Sequence, residues 1–116
     1  MSPRDLGTSA LRGDDLVTRQ IVKNAKRDGF SWGQAPEPDP SCSHSERAVY
    51  AALVELLCER SGMPGPLWLG DIEPSPEPVY LMGKTSKFVR RACEERAPEV
   101  LRRRNVYALP EYLDVL

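Results

Sequence analysis

The apolar positions of this 116-residue chain fall into three helical stripes, two or three short extended runs and a set of breakers between them. The first stripe lies between Asp14 and Asp28. Val17, Ile21 and Ala25 recur at i, i+4 spacing, with Leu16 and Val22 beside them and Arg19, Lys23, Lys26 and Arg27 opposite. That spacing predicts an amphipathic helix, capped by Asp14 or Asp15 and ended by Gly29. Its apolar stripe is narrow. Phe30 and Trp32 come directly after it, placed to staple the helix to a core or to meet a partner.

The second stripe is wider. Val49, Ala52, Leu53, Leu56 and Leu57 make one face, and Tyr50, Val54 and Cys58 extend it. Ser43 with Glu46 three residues on has the pattern of a capping box, and Gly62 supplies a stop. A helix apolar over so broad an arc is expected at the centre of the core. Between the two stripes, "GQAPEPDPSCS" (33–43) carries proline at 36, 38 and 40 and reads as an extended connector.

After Gly62 the pattern shortens. "LWL" (67–69) and "VYLM" (79–82) are strand candidates bracketed by proline and glycine. The second is apolar on both faces and is expected to be central in its sheet. A helix is expected from about Thr85 to Ala97, with Phe88, Val89, Ala92 and Cys93 buried and Arg90–Glu94 and Arg91–Glu95 paired on the wet face. Pro98 opens a short turn that Asn105 ends. "VYAL" (106–109) is a third strand candidate, and Tyr112, Leu113 and Leu116 in "PEYLDVL" are expected to dock on the core.

The resulting order is α-α-β-β-α-β-α. It predicts a small α+β domain, with α/β as the alternative, whose two- or three-stranded sheet is packed by two main helices. The expected layout is a mobile N-terminus at 1–12, a helical arm at 13–33, the proline-rich connector at 34–42 and a core at 43–116. A chain of this length suits one core and not two. Eight of the 11 prolines cluster at 36–40, 64–66 and 74–78, so they mark loops and not general disorder.

Charge changes the picture only locally. The net charge is −1, which gives no overall attraction to nucleic acid. Residues 41–83 carry Arg47 and Arg60 against Glu46, Glu55, Glu59, Asp71, Glu73 and Glu77, a balance of −4. Residues 84–104 carry eight cations against Glu94, Glu95 and Glu99, a balance of +5. The chain is dipolar along its sequence.

"GKTS" (83–86) suggests the end of a phosphate-binding loop. The full motif needs a glycine five residues before Gly83, where this chain has Pro78, and an apolar strand fills the place of the flexible loop. Nucleotide hydrolysis is therefore rejected. A helix N-terminus with Lys84, Thr85, Ser86 and Lys87 around it remains a candidate site for one anion. Arg90, Arg91, Arg102, Arg103 and Arg104 extend it into a candidate nucleic-acid surface. The plain alternative is a capped helix with solvated cations.

Cys42, His44, Cys58 and Cys93 lack the close pairing of structural zinc sites, so no metal or other cofactor is expected. A Cys42/His44 nucleophile pair has no orienting partner, and Asp71, Glu73 and Glu77 lie in a proline-rich loop that would hold a catalytic centre poorly. No catalytic residue is assigned. The N-terminus shows no apolar leader, and the longest apolar run is too short to span a bilayer. Reduced cysteines fit an intracellular, cytoplasmic setting.

The expected function is that of a small non-catalytic interaction or regulatory protein, acting through a protein partner or as a homo-oligomer, with no membrane association. Leu16, Val17, Ile21, Phe30 and Trp32 are the candidate partner-binding residues, and deletion of residues 1–34 is expected to change oligomeric state or partner capture. Nucleic-acid or phosphate binding through the basic segment is the alternative.

Overall fold

The structure is a computed structural model that describes residues 2–81 and 86–113. Its centre is the second apolar stripe. This helix, α3, runs His44–Arg60 and buries an unbroken run from Ala48 to Val54, then Leu56, Leu57 and Cys58. Ser43 caps it, its Oγ accepting from the Glu46 amide at 3.1 Å. The Glu46 carboxylate accepts from the Thr8 hydroxyl at 3.4 Å, so it tethers another helix to α3. Gly62 sits past the helix end at φ 67°, the left-handed conformation that glycine takes without steric cost.

Two shorter helices precede it: α1 at Leu6–Leu11 and α2 at Asp15–Arg27. The first was not expected, since residues 1–12 show no periodicity. A six-residue helix is too short to display one, and its helical form rests on packing. Leu6 and Ala10 are buried in the same cluster as α3, and Gly7 lies flat against α3 beside Tyr50. Residues 13–33, expected as a separate arm, give Ile21, Val22, Ala25 and Trp32 to that cluster. The Ser9 hydroxyl, 2.8 Å from Thr18 Oγ1, ties α1 to α2 inside the core.

The "LWL" segment is not a strand. Leu67–Asp71 forms a 3-10 turn, with the Leu69 amide donating to Pro66 O at 3.2 Å. Proline before it and glycine within it leave no length for a ladder. Trp68 instead stacks on Tyr50, ring centroids 5.6 Å apart, and its indole N–H donates to Ala35 O at 2.9 Å.

The sheet among the described residues therefore has two strands. β1 (Val79–Tyr80) and β2 (Val106–Tyr107) pair in parallel, Val79 opposite Val106 and Tyr80 opposite Tyr107. Val79, Leu81, Val106 and Ala108 face the core, while Tyr80 and Tyr107 stack on the outer face. Helix α4 (Lys87–Arg96) and the short α5 (Glu99–Arg102) make the crossover. Asn105, at φ 61°, turns the chain into β2, and its side-chain amide donates to Ser75 O. Tyr112 and Leu113 are buried as expected; Met82 and Leu116 lie outside the described residues. The architecture is α+β with a helical majority. No helix among the described residues is long and apolar enough to cross a membrane.

Candidate functional site

The residues expected to bind a partner divide by burial. Ile21 and Trp32 are inside the core, Val17 and Phe30 are half-buried, and Leu16 is 82% exposed. Ile21 lies on the stripe that α2 uses to dock, and Trp32, in the turn Trp32–Gln34, packs into the same core cluster. A deletion of residues 1–34 would strip α1 and α2 from the core, so it cannot isolate a partner surface.

Phe30 and Trp32 do meet at an edge of the molecule. Gly29, at φ 71°, reverses the chain after α2, and the Phe30 amide donates to Ala25 O at 2.9 Å. The two rings pack edge to face with centroids 5.0 Å apart. They border an open cleft of about 350 Å³ whose wall is completed by Val22, Leu57 and Leu113, with Lys26, Arg60 and Ser61 at its rim. The floor comes from three parts of the chain: one turn of α2, the end of α3 and the turn after β2. Its lining carries two cations and no carboxylate among the described residues. Arg60 is held in place by donating to Pro110 O. Lys26 is exposed on α2. Lys26 and Phe30, four residues apart on either side of the turn at Gly29, line the same opening. The sequence signal was present in "GFSW", but Leu57, Arg60 and Leu113 are remote in the chain and could not be assigned to it.

The basic segment does not form one surface. Lys84 and Thr85 lie outside the described residues. Ser86 caps α4, accepting from the Val89 amide at 3.3 Å, and that accounts for its hydroxyl. Lys87, Arg90 and Arg91 are exposed. Arg102 pairs with Glu99 at 3.3 Å and Arg103 with Glu55 at 3.4 Å. Arg104 is buried: it pairs with Glu55 at 3.2 Å and donates to Ile72 O and Leu69 O, each at 3.0 Å. It is a structural clamp and is not available to an anion. Phe88, expected in the core, is 83% exposed, because α4 turns only Cys93 fully inward. The expected Arg90–Glu94 pairing is replaced by two contacts to Tyr80: the guanidinium lies 5.1 Å from the ring centroid, and the hydroxyl donates to Glu94.

Two further clefts are polar. One of about 300 Å³ is lined by Arg4, Asp5, Thr8, Asp39, Cys42 and Glu46 among others. Burial and the Glu46 carboxylate push the Cys42 thiol up from its ordinary pKa. The other, about 250 Å³, is lined by His44, Arg47, Asp71, Ile72 and Glu73. Cys58 and Cys93 are buried with raised thiol pKa values, burial being the main cause. No group of three or more metal-ligating side chains converges among the described residues.

No protein-family model, curated protein or solved structure matches this chain.

Proposed function

We propose that the chain is a non-catalytic interaction module of the cell interior, and that the Phe30–Trp32 cleft receives an apolar side chain from a partner segment flanked by aspartate or glutamate. One observation carries this reading. Of the three clefts described above, this one joins an apolar floor to a rim with cations and, among the described residues, no carboxylate. An apolar anchor entering a pocket supplies binding energy, and the rim charges select its flanks. Lys23, three residues before Lys26 on α2, is a further exposed cation. Three free cysteines support an intracellular, cytoplasmic setting.

Trp32 and Trp68 are the two tryptophans. In a Trp68→Phe background, which keeps the stack on Tyr50, Trp32 becomes the sole indole reporter in the cleft wall. Titration with a short peptide of leucine or phenylalanine between acidic residues should shift its emission. Lys26→Glu should weaken that peptide about tenfold or more, equivalent to roughly 1.4 kcal/mol. The same peptide with lysine flanks should bind poorly to the parent and better to Lys26→Glu. Equal binding of both peptides, or no response to either, would overturn the reading.

A further inference from the structure

The turn at 109–113 closes one side of the Phe30–Trp32 cleft. Leu113 lines the cleft, and Pro110 O holds the rim cation Arg60. The turn itself is small. The Tyr112 amide donates to Leu109 O at 3.0 Å, and Glu111 meets Arg96 at 3.9 Å in an exposed pair that stabilises little. Whatever fixes this turn also fixes one wall of the cleft and one of its charges.

Tyr112 is 5% exposed and belongs to the core cluster. Its hydroxyl is enclosed and has no hydrogen-bond partner among the described residues. The same holds for Oδ1 of Asp15, a half-buried residue at the start of α2. The polar side chains that face the Tyr112 hydroxyl are Asp15, Thr18 and Arg19, on the first turns of α2. Thr18 is already engaged, its Oγ1 donating to Asp14 O at 2.9 Å and lying 2.8 Å from Ser9 Oγ. Arg19 carries donors only and cannot accept the phenol proton. Asp15 is left as an acceptor without a donor, beside a donor without an acceptor. Each orphan, buried alone, weakens the fold; joined, they make a charge-assisted hydrogen bond. Burial first, and then the Asp15 carboxylate, raise the phenol pKa well above its ordinary value, so the hydroxyl keeps the proton it would donate.

We propose that the Tyr112 hydroxyl donates to the Asp15 carboxylate, directly or through one bridging water, and that this bond latches the 109–113 turn to α2 as the fixed wall of the Phe30–Trp32 cleft. A small side-chain rotation or a single water completes the bond, and a bridging water serves nearly as well as direct contact. Tyr112 is then a positioning residue. It does not line the cleft, and it acts through its neighbour Leu113 and through Pro110 O, which holds Arg60. The latch concerns the shape of the cleft and not what enters it, so it does not rest on the acidic-partner reading.

Tyr112→Phe removes the hydroxyl and little else. In urea unfolding of the full chain, a latch predicts an unfolding equilibrium constant about tenfold larger. A hydroxyl with no partner predicts the opposite sign, because deleting an unsatisfied buried group stabilises the fold. Asp15→Ala should also be less stable than the parent. The double variant Tyr112→Phe/Asp15→Ala should be no less stable than Asp15→Ala alone, since both changes break one bond. In the Trp68→Phe background, acrylamide should quench Trp32 more strongly in Tyr112→Phe than in the parent, equally so in Asp15→Ala, and no further in the double variant. A Tyr112→Phe chain as stable as the parent, or more stable, would overturn the proposal. Losses that simply add in the double variant would do the same and assign the hydroxyl to Thr18. Lost stability with unchanged Trp32 quenching would remove the positioning role. None of these measurements uses a peptide, so a failed peptide titration leaves the latch standing, and a failed latch leaves the partner reading to its own test.

Discussion

Tyr50 shows how one side chain can read as a stripe residue and act as a junction. It lies on α3, 2% exposed, stacks on Trp68 and donates its hydroxyl to Pro36 O at 2.7 Å. One residue thus ties the core helix to the proline-rich connector and the 67–71 turn. Burial pushes its pKa up to about 12. The unfolded chain titrates near 10. The folded state therefore holds the proton more tightly, and this contribution is present below pH 10 and lost as pH rises through 12. Tyr50→Phe should cost about 1 kcal/mol at pH 8 through the lost hydrogen bond. That gap should narrow in urea unfolding at about pH 11, between the two pKa values. A gap constant across that range would show that Tyr50 does not titrate with folding. Arg104 makes a parallel point about legibility. In the sequence it is the third member of a cationic run, indistinguishable from Arg102 and Arg103. Its partners are 49, 32 and 35 residues away, so no local pattern marks it as buried.

At the scale of elements, α3 and α4 both begin with a serine cap and differ in how deeply each helix is buried. The cap on α3 precedes a helix buried on nearly every side. The cap on α4 precedes a helix that fully buries only Cys93. Both helices were legible from periodicity and capping chemistry, since both signals are local. Which side chains α4 would bury was not. Its apolar residues match a buried face, but the sheet it covers is two residues deep, so Phe88 overhangs it. Where tertiary burial is this slight, the local cap decides more of the helix's persistence. Ser43→Ala should lower global stability by about 1 kcal/mol. Ser86→Ala should change global stability less, and instead raise hydrogen exchange of the first α4 amides, Val89 and Arg90, severalfold. Equal global losses with unchanged α4 exchange would mean that α4 unfolds only with the whole domain.

For the molecule as a whole, the open question at the level of sequence is where the domain begins. Composition and periodicity start the core at residue 43, because the connector is proline-rich and the first helix has a narrow stripe. The structure instead joins α1, α2 and α3 in one buried cluster. Gly7 against Tyr50 and Thr8 against Glu46 join α1 to α3, Ser9 against Thr18 joins α1 to α2, and Arg4, donating to Glu37 O at 2.8 Å, ties the N-terminus to the connector. Gly7 gives the sharpest test. A Cβ added there would meet Tyr50 Cβ at 2.7 Å and Glu46 O at 2.9 Å, closer than packed atoms approach. In an isolated helix, glycine to alanine would be favourable by up to about 1 kcal/mol. Here overpacking against the α3 backbone should cost about 1–3 kcal/mol and prevail. Because α1 shares the core, Gly7→Ala should lower the urea midpoint of the entire chain. Far-ultraviolet circular dichroism and tryptophan fluorescence should report the same single transition. An unchanged or raised midpoint would show that α1 is not docked on α3, and that the cooperative unit starts beyond the connector.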